Sequence, residues 1–172
     1  MDRGPLIQRR PAQPYVGIGA DVSTEPEFRR AVDRGFPELY GWLRTNQIEP
    51  SGPPFIRYLE VAGEGQPLRF ELGAPTAAAV SGDDRIHADK LPAGRYATLL
   101  HVGPYNSSDV PDLRAARAEL REWARRQGLE WNSSKTARGT AFEACIERYL
   151  TDASRERDWS KWETELAYLV AD

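Results

Sequence analysis

The chain has 172 residues, 40% of them hydrophobic and 28% charged, which is enough for one domain with a real core and ordinary for a soluble globular protein. No apolar run approaches the roughly 18 residues that a bilayer-spanning helix needs. The net charge of −3, without a dense lysine or arginine block beyond the first residues, argues against nucleic acid as the main partner, because neutralising phosphates takes a concentrated basic surface. The single cysteine, Cys145, rules out an internal disulfide and points to a reducing compartment, with the cytoplasm as the expected location.

The opening MDRGPLIQRRPAQP is basic and proline-rich and lacks the apolar centre of a secretory signal, so residues 1–13 are expected to form a disordered tail. YVGIGADV (15–22) reads as a strand. Helical periodicity follows, but Pro37 interrupts it. Proline fits the first turn of a helix and breaks its middle, which predicts a short helix from Pro26 to Arg34 and a longer one from Pro37 to about Gln47. Phe36, Leu39, Tyr40 and Leu43 form the inner face of the second. FIRYLEV (55–61) and LRFELGAP (68–75) are the next strands.

From Ala74 to Pro92 the composition shifts. Ser81-Gly82-Asp83-Asp84 is a turn signal, with short strands expected near Ala77 to Val80 and Arg85 to Ala88. YATLLHVG (96–103) is another strand. Leu113, Ala116, Leu120, Ala124 and Gln127 recur at steps of three and four, a helical stripe that Asp109 or Ser108 caps and Gly128 ends. AFEACIERYLTD (141–152) and WETELAYLV (162–170) read as the closing strands.

The chain repeats itself. YVGIGADV and YATLLHVG start 81 residues apart, and ELYGWLRTNQIE (38–49) and ELREWARRQGLE (119–130) are also 81 residues apart. Each helix is followed by an RYL strand, with Tyr58 and Tyr149 91 residues apart, and then by a strand carrying Glu-Leu. Each half therefore runs strand, helix, strand, strand. Duplicated modules of this kind pack about a pseudo-two-fold axis and leave a natural cleft between them.

Several chemistries are absent from the pattern. No phosphate-binding glycine loop and no G-x-S-x-G elbow is present. His87 and His101 stand apart, without metal-ligand spacing, so neither a metal nor a cofactor is expected. Cys145 sits mid-strand with no histidine nearby and is read as buried and inert. Trp42 and Trp123 occupy matching helix positions and are expected to pack on the sheet.

One stretch is odd. Side chains alternate along a strand, so in AFEACIERYLTD Phe142, Ala144, Ile146 and Leu150 share one side while Glu143, Cys145, Glu147 and Tyr149 share the other. If that second surface is covered by protein, Glu147 is a buried anion that needs a partner.

Tyr58 in PPFIRYLEV, the HVGPY turn (101–105) and the closing CIERYLTD…DWSKWETELAYLV together resemble the gyrase-inhibitor-like (GyrI-like) small-molecule-binding domain, which also serves as the effector-binding half of several bacterial multidrug-responsive regulators. The resemblance covers roughly residues 14 to 171. It implies an α+β fold of duplicated β-α-β-β modules in pseudo-two-fold arrangement, with mainly antiparallel sheets and a ligand cleft between the modules. Residues 14–172 are then a single domain, with a first repeat of about 14–75, a connector of about 76–92 and a second repeat of about 93–171.

By the same resemblance Glu147 faces the cleft and meets planar cationic aromatic compounds, with Tyr149 beside it and Tyr58 as the pseudo-symmetric counterpart. Tyr105, Trp131 and Trp159 are the further cleft candidates by position. The expected partners are hydrophobic or cationic aromatic small molecules. The regulators' helix-turn-helix is not matched by the residues ahead of the domain, so a stand-alone member without direct DNA contact is expected. Two other activities follow from the resemblance. One is hydrolytic opening of cyclopropane rings in DNA-alkylating natural products, using Glu147 and Tyr149. The other is inhibition of DNA gyrase as a protein partner.

Overall fold

Ten strands and two helices arise from this pattern in the computed structural model, which describes residues 4–63 and 66–172. In chain order they are β1 (Leu6–Arg10), β2 (Gln13–Asp21), α1 (Glu25–Thr45), β3 (Phe55–Ala62), β4 (Pro67–Pro75), β5 (His87–Leu91), β6 (Gly94–Val102), α2 (Leu113–Arg126), β7 (Ser133–Lys135), β8 (Gly139–Phe142), β9 (Cys145–Tyr149) and β10 (Glu163–Leu169). The strands form one curled antiparallel sheet, a half-barrel, in the order β1-β6-β10-β9-β3-β4-β2-β5, with the β7–β8 hairpin attached to β3. None of the described helices is long and apolar enough to cross a membrane.

The sheet is built as the repeat predicts. β2-α1-β3-β4 and β6-α2-β9-β10 are the two modules, and they meet where β3 pairs with β9. There Phe55 faces Arg148, Ile56 faces Glu147 and Arg57 faces Ile146. At the 91-residue offset Ile56 and Glu147 are each other's counterparts, so the pseudo-two-fold axis passes between them.

Residues 6–10, assigned to a disordered tail on composition, are strand β1; residues 1–3 lie outside the described residues. The reason is that β6 would otherwise leave an open edge, which β1 covers in register from Leu6↔Thr98 to Arg10↔Gly94. β5 does the same for β2. β1 and β5 lie 81 residues apart, and each is followed by Pro-Ala. The repeat thus starts one strand earlier than the helix pattern suggests, and each module's leading strand closes the edge of the other. Ala77 to Val80 forms no strand.

α1 is a further correction, since it runs unbroken through Pro37. Proline in a helix interior costs about 3 kcal/mol. Buried Gly35 before it and buried Leu39 and Leu43 after it lie against the same sheet, so tertiary packing outweighs the loss. The approach is close: a methyl group on Gly35 would lie 2.3 Å from Leu72 Cδ1. α2 is capped by Asp112, which accepts from the Arg114 and Ala115 amides at 3.0 and 3.3 Å, in place of Asp109 or Ser108. Gly128, at φ 68°, turns the chain out of α2 as expected.

The helices cover one face of the sheet. Leu113, Ala116 and Leu120 pack with Ile56, Leu99 and Leu166, while Leu39 and Leu43 pack with Val16, Ile18 and Ile86. The other face is buried too, by Tyr15, Phe55, Tyr96, Ile146 and Leu169. AFEACIERYLTD is not one strand: it breaks at Glu143–Ala144 into β8 and β9. The break resets the alternation, so Phe142 packs with the helix-side cluster while Ala144 and Ile146 pack on the opposite side.

Candidate functional site: a buried carboxylate on the pseudo-symmetry axis

Strand alternation carries Glu147, Tyr149 and, across the seam, Tyr58 to the helix-covered face. Glu147 is 0% exposed. One carboxylate oxygen, Oε2, accepts from the Tyr58 hydroxyl at 3.0 Å and from the Tyr149 hydroxyl at 3.2 Å. The two tyrosines are counterparts in the repeat, so the symmetry of the fold aims both at the one acid on its axis. The other oxygen, Oε1, accepts from Arg117 Nε of α2 at 2.5 Å.

These three donors explain how the charge survives burial. Desolvating a carboxylate costs several kcal/mol unless it is paired and its lone pairs are satisfied. Burial holds the Tyr58 hydroxyl well above the usual phenol range, and the Glu147 charge adds to it. Tyr149 is raised by burial, by Tyr58 and by Glu147. Both phenols therefore stay protonated and donate. Burial alone would lower the Arg117 guanidinium, but Glu147 outweighs it and the net shift is upward.

Rings crowd around this centre. Phe28 of α1 stacks on Tyr58 at 6.5 Å between centroids and tilts against Phe70 at 4.8 Å. Phe36 of α1 meets Tyr149 edge-on at 6.4 Å. From the loop after β6, Tyr105 meets Tyr149 at 5.5 Å and Trp162 at 4.7 Å. Trp162 is held by its indole N–H, which donates to the Glu156 carbonyl at 2.8 Å. On β10, Thr164 pairs with Tyr149, and its fully buried hydroxyl has no hydrogen-bond partner among the described residues.

Of the residues singled out in the sequence, Glu147, Tyr149, Tyr58 and Tyr105 come together. Trp131 stands one ring further away, edge-on to Tyr168 at 5.4 Å. Trp159 is 48% exposed in a short 3-10 turn (Trp159–Lys161) and is not among the rings packed at the centre. Phe28, Phe36, Trp162 and Arg117 were not in the expected set. Phe28 and Phe36 share a helix face only if α1 continues, which the proline concealed. Surface cavities among the described residues lie elsewhere, such as one of about 170 Å³ bordered by Ile18, Arg34 and Leu72 and another of about 600 Å³ bordered by Arg10, Gly94 and Leu169.

This duplicated sheet, with helices flanking a seam of aromatic residues, matches a known class. The GyrI-like small molecule binding domain matches residues 5–168, and the chain belongs to that family. No curated protein sequence matches it. Solved structures share the fold. The C-terminal domain of EcmrR is 16% identical at a TM-score of 0.74, covering 100% of this chain and 99% of that domain. Against EcmrR in its DNA complex, the chain spans 57% of the EcmrR chain at 17% identity and a TM-score of 0.74. A hydrolase from Listeria innocua is 14% identical with a TM-score of 0.61, covering 98% of this chain and 92% of that one. SAV2435, solved bound to tetraphenylphosphonium, is 12% identical with a TM-score of 0.57, covering 97% and 93%.

Proposed function

We propose that the protein binds planar aromatic, preferably cationic, small molecules over the β3–β9 seam, between α1 and α2. The observation that carries this reading is the convergence of Phe28, Phe36, Tyr58, Tyr105, Tyr149 and Trp162 around one buried carboxylate. Flat rings bind flat guests without demanding one hydrogen-bond pattern, and each adds about 0.5–2 kcal/mol when the guest is a cation. Glu147 supplies the charge, and the unpartnered Thr164 hydroxyl supplies a polar handle beside Tyr149. SAV2435, which shares the fold, is solved bound to tetraphenylphosphonium, a tetrahedral cation with four phenyl rings, which is in keeping with the cationic and aromatic parts of this reading. The free, buried Cys145 is in keeping with a cytoplasmic setting.

The test is a fluorescence titration with a cationic planar dye and a neutral analogue. Glu147→Gln weakens the cation by tenfold or more, about 1.4 kcal/mol, and spares the neutral dye. Equal cation affinities for wild type and variant remove Glu147 from the site.

A second reading, ring-opening hydrolysis of cyclopropane-bearing alkylators, is favoured by one specific feature: two protonated phenols share an oxygen of the same carboxylate. That is a proton donor beside an acid–base group, at the spacing general acid–base catalysis needs. The fold shared with the Listeria innocua hydrolase is consistent with it. Incubation with excess alkylator then yields more than one ring-opened product per protein. Product at only the spontaneous rate leaves binding as the activity.

A further inference from the structure

The two modules superpose chemically as well as in order, so departures from the repeat stand out. At the axis Ile56 in one half corresponds to Glu147 in the other. On the helices, at the 81-residue offset, Phe36 corresponds to Arg117. Phe36 packs on Tyr149, and Arg117 bonds the same carboxylate as the counterpart phenol, Tyr58. Two apolar residues of one cluster in the first half, Ile56 and Phe36, thus correspond to an ion pair in the second, where the two departures touch each other. Two surfaces that evolve as a structural repeat need no such pair for packing, since the first half packs without one.

The pair is lopsided. The Glu147 side chain is 1% exposed and the Arg117 side chain 28%. Arg117 can swing its head into water while its stem stays on the apolar surface. Glu147, on a central strand, cannot follow. The guanidinium also already stands where the charge of a cationic guest would have to go.

We propose that Arg117 is a resident counter-ion, a latch that a cationic ligand must displace from Glu147 before it can enter among the aromatic rings over the seam. This rests on the binding reading above and adds its regulation. At rest the carboxylate is neutralised and the site is closed to cations, though not to neutral rings. A cation gains Glu147 only by releasing Arg117, so its apparent affinity is discounted by the fraction of molecules in which the latch is open. A neutral planar guest stacks without breaking the ion pair and carries no such discount. The latch therefore sets charge selectivity, admitting only cations whose rings add enough stacking to replace the arginine.

The experiment compares two dyes of one shape, N-methylacridinium and acridine, at a mildly alkaline pH where acridine is uncharged. In Arg117→Gln the methylacridinium affinity rises by roughly tenfold or more while the acridine affinity stays within about twofold. In wild type, saturating methylacridinium shifts the Arg117 Nε–H resonance, and acridine does not. Unchanged or weakened methylacridinium binding in Arg117→Gln overturns the latch, as does an Nε–H resonance indifferent to the cation. Should Arg117→Gln unfold alone, its thermal midpoint is read with each dye, and equal stabilisation by the two overturns the proposal. Arg117→Gln/Glu147→Gln, which has neither charge, binds both dyes alike. If neither dye binds wild type or any variant, the binding site over the seam is itself refuted. Acridine binding without a cation gain in Arg117→Gln refutes only the latch.

Discussion

Ile56 and Glu147 face each other across the β3–β9 seam and are each other's counterparts in the duplicated sequence. One position on the axis accepts either a hydrocarbon or a carboxylate, and what makes the carboxylate tolerable is Arg117. Removing one member of a buried pair costs about 3–5 kcal/mol because the other charge is stranded. Arg117→Met therefore destabilises by about that much. Glu147→Gln costs less, since Arg117 is free to reach water. Arg117→Met/Glu147→Gln returns to within about 1 kcal/mol of wild type, as both charges are gone and the amide oxygen still accepts from Tyr58 and Tyr149. Urea denaturation of the four proteins measures this. A double variant as unstable as the sum of the singles contradicts the coupling.

Gln47 occupies the position after α1 that Gly128 occupies after α2, at φ 56° and 68° respectively. In both, the next amide bonds back into the helix, Ile48 to the Leu43 carbonyl and Leu129 to the Ala124 carbonyl, each at 2.9 Å. The left-handed conformation costs a residue with a Cβ about 1 kcal/mol that glycine does not bear. Gln47→Gly accordingly stabilises by about 0.5–1 kcal/mol, and Gly128→Gln destabilises by a similar amount. The midpoint of chemical denaturation reports both.

How much of this was legible beforehand depends on whether the signal is local. The strands from Tyr15 and Tyr96 were readable from a shared offset, alternation put Glu147 and Tyr149 on one face of their strand, and the repeat marked Tyr58 as the counterpart of Tyr149; that the face is covered is what the structure adds. β1 was hidden because its sequence is proline-flanked and charged, and its stability comes from an edge of β6 nearly a hundred residues away. The unbroken α1 was hidden because propensity condemns Pro37, while the sheet beneath decides the matter. Arg117 was hidden in another way. Among Arg114, Arg117 and Arg121, composition does not distinguish the one turned inward, and only its correspondence with Phe36 marks it. Trp159 drew attention as a loop tryptophan, but a residue type in a loop fixes no direction.

On the opposite face of the sheet, Glu71 accepts from the Tyr15 hydroxyl, lies 3.5 Å from Arg57 and bonds His87 Nε2 at 2.7 Å. The bond to Glu71 raises the His87 pKa against the smaller opposing effect of burial, with Glu71 and Asp89 charges favouring and Arg57 disfavouring the protonated ring. A histidine whose folded pKa exceeds its unfolded value of about 6.5 binds its proton more tightly when folded. Its contribution to stability is full below that value and disappears as pH rises through the folded pKa. In the second half the counterpart acid, Glu165, is bonded instead by the guanidinium of Arg10 at 2.9 Å. Thermal midpoints followed from mildly acidic to mildly alkaline pH should fall more for wild type than for His87→Gln. Parallel curves remove His87 as the source.

The aromatic wall makes the sharpest distinction among candidate residues. Tyr105 bridges Tyr149 and Trp162 with centroid separations of 5.5 and 4.7 Å, so its ring is half of two ring–ring contacts beside the buried acid. Truncating it removes a stacking surface worth about 0.5–1.5 kcal/mol per contact and loosens Tyr149, whose hydroxyl is one of the three donors to Glu147. Tyr105→Ala therefore weakens both a cationic and a neutral planar dye several-fold, because stacking does not depend on charge. Trp159, with 48% of its surface in solvent, is not part of that wall. Trp159→Ala leaves both affinities within about twofold and stability within about 0.5 kcal/mol, as expected of a surface change. Fluorescence anisotropy on the two variants decides the point: if Trp159→Ala weakens the dyes and Tyr105→Ala does not, ligands bind on the outer surface by the 3-10 turn and not over the seam.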